Sequence, residues 1–552
     1  MRSIAFVGAG PTTLYTLKFL LADPLRDVRI TVLEAKAEAG VGSPYSPGWN
    51  DPAMLSNIAS AEIPPVTETL LGWVQARSGA ELREMGIEVA DFDDRTFAPR
   101  LVLGRFFRDQ FRRLVEAARE GGVAIDVRTG CSVVDVVNQA EGVDLTWSAD
   151  EAAPTTARFD HVVLATGHQW PSRQQVRPGY FASPWPAAAL AEIPPIDVGI
   201  RGSSLTAIDA AVALAGAHGA FVRREARLDY EPAPGTEDFR ITMMSRKGLL
   251  PEADFYFPLP HAPLTICTPE AIGRLIKEGE EALLDRAFDL FRREMIAVDP
   301  GYAAAIGLAD ASLEAFGEAY FAARAAADPF AWAASNLAEA RATHAARATV
   351  PWRDALLRMH EVMAAVTPHL DSVQFSRFSR SLKPVFVDAY GGVPHESVER
   401  MLALHRAGKL EVLALGDDYR IDTQPPEGGA RLIRGGAVRR FPVFIEATGQ
   451  KVLGAIQFPF LSLIEQGVVR DASSDEETDG ARGVEIDDHF NLVADGLPTD
   501  RLFCLSLPFI MGRHPFAQGL TSSHAMGEIV GRRLASILGD GHASIDTLPA
   551  VA

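Results

Sequence analysis

Only three cysteines occur in the 552 residues, Cys131, Cys267 and Cys504, and no two form a CxxC pair. That spacing argues against a disulfide framework or a thiolate zinc site and fits a reducing compartment. The sequence also lacks any uninterrupted run of about 18 apolar residues, so no membrane span is expected. The opening MRSIAFVGAG sets a basic residue before apolar ones, but Gly8, Gly10 and Pro11 break the run before a secretion signal could form. Positive charge is scarce: 53 Lys and Arg stand against 72 Asp and Glu, a formal charge of −19. A chain that acidic is a poor match for phosphate backbones, so no nucleic-acid partner is expected. These absences point to a cytoplasmic protein whose partners are small molecules.

What is present is ordinary for a globular enzyme, with 47% hydrophobic and 23% charged residues. The length implies roughly two to four domains. SIAFV (3–7) is a short apolar run, followed by a Gly-rich turn, a helically spaced TTLYTLKFLLA, and a second apolar run, VRITVLE. The order strand, turn, helix, strand is a βαβ unit. Residues 122–149 alternate as a small antiparallel sheet would, and FDHVVLATG reads as a buried strand. The pattern restarts at DVGIRGSSLTAIDAAVALAGAHG (197–219), passes through a polar excursion (221–239), and resumes as a strand in FRITMMSRKG. Ala-rich helical sequence without a fixed repeat fills 268–366. A mixed α/β pattern then returns, with an acidic loop at 471–486 and a closing helix LTSSHAMGEIVGRRLASIL.

The fold class expected is α/β, with two Rossmann-like dinucleotide-binding domains, discontinuous in sequence, and an inserted helical region. The boundaries drawn are 1–195 and 441–552 for an FAD-binding domain, 196–267 and 367–440 for an NADPH-binding domain, and 268–366 for the insertion.

In the first unit, Gly8 permits a tight turn, and Gly10 lets a pyrophosphate approach the backbone. Pro11 and Thr12 open the helix whose free N–H groups would hold that pyrophosphate. Glu34 lies 21 residues past Thr13, where an acid can accept hydrogen bonds from a ribose. Thr13 replaces the usual third glycine, so helix and strand are expected to stand slightly further apart. In the second unit Gly202, Ser203, Ser204 and Thr206 follow a strand in the same way, although Ser204 and Ala207 replace two glycines. Its next strand ends in Ser245, Arg246 and Lys247, a basic end that suits the 2′-phosphate of NADPH; a solvated strand end is the plainer alternative. Two further strands end in Ala-Thr-Gly, at 165–167 and 447–449, and Gly167 is a candidate cofactor contact. Gly519, Leu520 and Thr521 begin the last helix, where Ser and Thr serve as caps and the helix end could face a flavin.

These residues, with GVGSPYS (40–46), MLSNIASAEIPP (54–65), FAPRLVLGRFFRDQF (97–111), ATGHQWP (165–171), SRKGLLPEADFY (245–256), VPWRDALLRMHE (350–361) and AQGLTSSHAMGE (517–528), carry a resemblance over essentially the whole length. The chain resembles the FAD/NAD(P)-binding flavoproteins related to N-hydroxylating flavin monooxygenases. The resemblance implies two cofactors, FAD and NADPH, with hydride passing from one to the other. Molecular oxygen would then be used, through a flavin peroxide, to hydroxylate a small substrate such as the amine of an amino acid. It implies that Asn57, in an S-N-x-x-x-E context with Glu62, lies beside the flavin as the catalytic residue. His168 is a lesser candidate contact. The FxG-His pattern of such enzymes is replaced by YFASPW (180–185). Lack of a CxxC disfavours the disulfide-reductase branch. For a carboxylate substrate, Arg100, Arg105, Arg377 and Arg380 are candidate clamps. Two alternatives stay open: an NADPH-dependent flavin reductase without oxygenation, and a non-enzymatic flavin-binding protein.

Overall fold

The computed structural model describes residues 1–87, 92–149, 153–171, 173–472 and 482–539. Of the acidic loop at 471–486, residues 473–481 lie outside the described residues.

The first βαβ unit forms where the hydrophobic pattern placed it. The strand β1 (Arg2–Val7) pairs in parallel with β2 (Val28–Leu33), with the helix α1 (Pro11–Leu20) between them. Their apolar side chains are buried on both faces, as a covered parallel sheet requires. β3 (Ala124–Arg128) extends this sheet beside β2, and His161–Leu164 lies on the other side of β1. Two C-terminal strands, Asn491–Ala494 and Leu497–Cys504, complete a six-stranded sheet.

A second six-stranded sheet repeats the plan. Asp197–Arg201 lies centrally, with Arg240–Ser245 then Leu410–Ala414 on one side and Val443–Glu446 on the other. Each sheet also carries a three-stranded antiparallel sheet inserted before its Ala-Thr-Gly strand. These are Cys131–Gln139, Gly142–Ala149 and Thr155–Phe159 in the first, and Tyr419–Asp422, Ala430–Arg434 and Ala437–Phe441 in the second.

Several sequence expectations need correction. Ala124–Arg128 belongs to the main parallel sheet, so the antiparallel sheet starts only at Cys131. The polar excursion is a hairpin, Gly219–Arg224 against Arg227–Pro232. Gln175–Arg177 and Tyr180–Phe181 edge the second sheet, so that unit begins well before residue 196. Val443–Glu446 also pairs into the second sheet, so the boundary at 441 falls too early. The helical region runs past 366 through Ser372–Ser381 and Lys383–Tyr390. Phe378, Leu382, Val385 and Phe386 from those helices share one core with Phe291 and Phe316, which fixes their membership although their sequence is not Ala-rich. Among the described residues, no helix is long and apolar enough to cross a membrane.

Candidate functional site

Between β1 and α1 the chain turns at Gly8, whose φ is +98° and where an added Cβ would lie 2.3 Å from Ala165 O. Gly202 repeats this in the second unit, with φ +130° and a Cβ that would lie 2.3 Å from Ala447 O. In both units the glycine is thus demanded by the Ala-Thr-Gly strand crossing behind it. Gly10 is different. Its φ is −78°, and an added Cβ would meet only Gly42 Cα, at 3.5 Å. Protein packing alone does not call for glycine there; an open approach to the backbone does.

That approach leads into a cavity of about 370 Å³, within the range of cofactor pockets. Its walls include the turn Gly8–Thr12, Glu34, the 42–45 loop, Thr166–Gln169, Pro459–Phe460 and the start of the last helix. α1 begins at Gly10 without a side-chain cap, so its first N–H groups are free to meet an anion in the cavity. Glu34 accepts from Ala9 N at 2.8 Å and from Lys36 N at 2.9 Å, which fixes the carboxylate at the strand end with lone pairs to spare. Thr13 is fully buried and donates to Gly8 O at 2.7 Å, so its side chain is absorbed by a hydrogen bond to the turn itself.

The final helix, Leu520–Leu538, starts at Gly519 with no side-chain cap, contrary to the expected Ser and Thr caps. Those hydroxyls have other partners: Ser523 Oγ is 3.1 Å from Thr12 Oγ1, and Ser522 Oγ is 3.2 Å from Phe516 O. Two helix N-termini therefore open on the same cavity. Gly519 and Leu520 line it, whereas Thr521 is exposed and does not. Gly167 also lines it, at φ +71° and with no atom within 4 Å of where a Cβ would stand.

Sequence reasoning gave no role to several wall residues. Lys36 Nζ bridges Ser43 Oγ at 3.2 Å and Ser46 Oγ at 3.0 Å, which ties down the GVGSPYS loop. Burial lowers its pKa. Phe460 arrives from a distant segment, and no local signal marks it. His168, the lesser candidate, lines the cavity; burial and then nearby Arg100 push its pKa down to about 4, so it is neutral at physiological pH.

Asn57 is not among the residues that line this cavity, and it is exposed. Glu62 caps the backbone of its own loop, accepting from Ala59 N at 2.9 Å. Of the four candidate clamps, Arg100 pairs with Asp209 at 2.7 Å, Arg105 with Glu84 at 3.2 Å, and Arg377 with Asp285 and Glu314 at 2.8 Å each. Arg380 is exposed.

In the second unit Ser203 is buried, donating to Leu249 O at 2.6 Å with its Oγ 2.8 Å from Ser245 Oγ, so it ties the turn to the next strand end. Ser204 is exposed at the start of the helix Leu205–His218, and Thr206 is half-buried in its first turn. Arg246 is exposed, and its guanidinium makes no hydrogen bond or ion pair among the described residues. Lys247 turns the other way: its Nζ sits 3.3 Å from the centroid of the Phe321 ring, and burial, then Arg246, lower its pKa to about 8. The two basic residues thus part company, and only Arg246 faces open solvent.

Residues 5–169 match the FAD-NAD(P)-binding family, and residues 268–390 match the YdhS-like middle domain. The uncharacterized protein YdhS of Escherichia coli K12 is 40% identical over 533 residues, covering 96% of this chain and 97% of that protein. The chain belongs to the YdhS family. Its N-terminal unit is an FAD-NAD(P)-binding domain. Among solved structures, the reduced ornithine hydroxylase of Pseudomonas aeruginosa is 12% identical, with 97% of this chain and 99% of that one covered and a TM-score of 0.49. The FAD-bound cadaverine monooxygenase of Erwinia amylovora is 12% identical, with 100% and 98% covered and a TM-score of 0.48. The bacillithiol disulfide reductase of Bacillus cereus is 12% identical, with 97% and 99% covered and a TM-score of 0.41.

Proposed function

We propose that the protein is an NADPH-dependent FAD monooxygenase that hydroxylates a small amine or amino acid. The observation carrying this reading is the paired construction: two glycine turns, each pressed against an Ala-Thr-Gly strand and each followed directly by a helix. Bound FAD would supply hydride acceptance and oxygen activation. The chain's own residues do the rest. Gly10 and Thr12 would offer main-chain N–H groups to the diphosphate, with Gly8 shaping the turn and Pro11 opening the helix, and Glu34 would accept from a ribose. Gly167, Gly519 and Leu520 would border the ring end, where the helix dipole favours negative charge. Gly202, Ser203, Ser204 and Thr206 form the second diphosphate turn, with Ser245 bracing it and Arg246 and Lys247 at the strand end, Arg246 being placed to meet a 2′-phosphate. The three cysteines are buried and unpaired, so a redox dithiol is lacking.

The test is to load the protein with FAD, add NADPH or NADH without oxygen, and then admit air with an amine. The reading expects NADPH to bleach the flavin and hydroxylamine to form in step with oxygen uptake. Arg246→Ala should weaken NADPH roughly ten-fold or more while leaving NADH little changed; equal effects would remove the preference for NADPH. The place of Asn57 outside the cavity favours a second reading, a flavin reductase that releases all its oxygen as hydrogen peroxide. The same assay separates the two.

A further inference from the structure

At the end of the strand Arg240–Ser245 the main chain and the Lys247 side chain are held by different parts of the molecule. The main chain is held by its own sheet. Ser245 O accepts from Leu415 N and Arg246 O from Gly416 N, both at 2.9 Å. Gly248 N donates to Ser245 Oγ at 3.1 Å. At φ +64°, an added Cβ on Gly248 would stand 2.7 Å from Ala414 Cβ. With the Ser203 contacts, these bonds fix the backbone under Arg246 without help from the middle helices.

The Lys247 side chain depends on those helices. Its Nζ makes no hydrogen bond or ion pair among the described residues and rests on the Phe321 ring, 3.3 Å from the centroid. Phe321 stands on the helix Leu313–Ala326 and is buried. Its ring meets Tyr320 edge to face, with centroids 4.8 Å apart. The Tyr320 hydroxyl donates to Asp388 Oδ2 at 2.9 Å, and Arg324 Nη1 and Nη2 grip the same carboxylate at 2.8 and 2.7 Å. Asp388 is thus taken up, while the face of Phe321 offers Lys247 its negative quadrupole. Arg324 Nη2 also donates to Leu250 O at 2.9 Å, so the same helix closes over the loop that follows Lys247. A ring face holds a cation over open solvent by a factor of only about two to thirty.

We propose that Phe321 tunes the nicotinamide-nucleotide preference of the second unit by withholding Lys247, so that a 2′-phosphate at this strand end meets Arg246 alone. The inference rests on the NADPH reading and gives the middle helices a part in it. Removing the ring leaves the backbone under Arg246 as it was, yet releases a second cation, one residue along, toward the same phosphate. At about pH 7, below the Lys247 pKa of about 8, that amine is still protonated and charged. A single guanidinium holds a 2′-phosphate less tightly than two cations do, and lets the spent nucleotide leave sooner.

Calorimetry on the FAD-loaded protein in low salt tests this with 2′,5′-ADP, and with 5′-AMP as the probe lacking the 2′-phosphate. The parent should prefer 2′,5′-ADP, and Arg246→Ala should remove most of that preference. Lys247→Met should change 2′,5′-ADP affinity by less than about two-fold. Phe321→Leu and Phe321→Met should tighten 2′,5′-ADP roughly three- to ten-fold and leave 5′-AMP unchanged. Adding Lys247→Met to either should cancel the gain, and Phe321→Tyr, which keeps a ring face, should match the parent. A second readout leaves Phe321 intact and so holds even where its variants fold poorly. Reductive methylation with isotope-labelled formaldehyde gives Lys247 a dimethylammonium resonance, identified by its loss in Lys247→Met and moved upfield by the ring. Saturating 2′,5′-ADP should leave it there. The withholding role would be overturned by a loss of affinity in Lys247→Met equal to that in Arg246→Ala. Unchanged 2′,5′-ADP binding in folded Phe321→Leu, or return of the Lys247 resonance to its ordinary position on saturation, would overturn it equally. A parent that binds 2′,5′-ADP no better than 5′-AMP would instead remove the NADPH reading, and this inference with it.

Discussion

Gly8 and Gly10 are two residues apart, yet they answer to different demands. At Gly8 a Cβ would strike Ala165 O at 2.3 Å on a backbone with φ +98°, so Gly8→Ala carries both a clash and a strain of about 1–3 kcal/mol. It should lower the melting temperature of the apoprotein. Gly10→Ala meets only a 3.5 Å contact, so it should melt like the parent and still lose flavin on gel filtration. Equal melting points for the two variants would contradict this division. Glu62 makes a second prediction at the same scale. Burial, then Asp254, push its carboxyl from 4.5 up to about 7. Between those values the folded chain holds a proton that the unfolded chain has released, so stability falls as pH rises through that window. Glu62→Gln removes the effect. Its melting temperature should exceed the parent's above about pH 7 and converge with it below about pH 4.5. The Gly8 turn was legible in sequence because a βα turn is made by neighbouring residues. The raised Glu62 was not, since Asp254 reaches it only after folding.

At the scale of elements, the last helix lies directly along α1. A Cβ on Gly527 would fall 2.8 Å from Thr16 N, and one on Gly531 would fall 2.6 Å from Thr16 O. Those two small residues, one turn apart, let the backbones approach closely. The Thr12–Ser523 contact of 3.1 Å then joins the two helix N-termini at the cavity. Gly531→Val should force the helices apart, lower the melting temperature and reduce FAD retention together. Retained flavin at an unchanged melting temperature would show that the helix contact does not shape the site. The helical pattern of 520–538 was plain in the sequence. Its partner was not, because GEIVG reads equally well against any apolar surface.

For the whole molecule, one of the contacts that join the two units is a buried ion pair. Arg100, from the first unit, meets Asp209 on the helix Leu205–His218 at 2.7 Å and also donates to Leu55 O at 3.0 Å. Only 14% and 11% of the two side chains are exposed. Removing one partner leaves the other buried and unpaired, at about 3–5 kcal/mol. Arg100→Met should therefore destabilise the chain by that amount in urea unfolding. Arg100→Met with Asp209→Leu should recover much of it. If the double variant were no better than the single one, the joint would be carried by other contacts.

By itself the sequence determined the local geometry: both glycine turns, the strands and helices flanking them, Glu34 at its strand end and the acidic surface. These depend on residues close in the chain, where backbone sterics and hydrophobic period act directly. Only the tertiary structure decided which sheet each strand joined, as Tyr180–Phe181 and Val443–Glu446 show by pairing into the second unit. It likewise decided that Arg100 is a joint, that Lys247 rests on Phe321, and that His261 meets Asp354 across 93 residues of chain. Such pairings depend on which surfaces are buried together, and burial is a property of the folded chain as a whole.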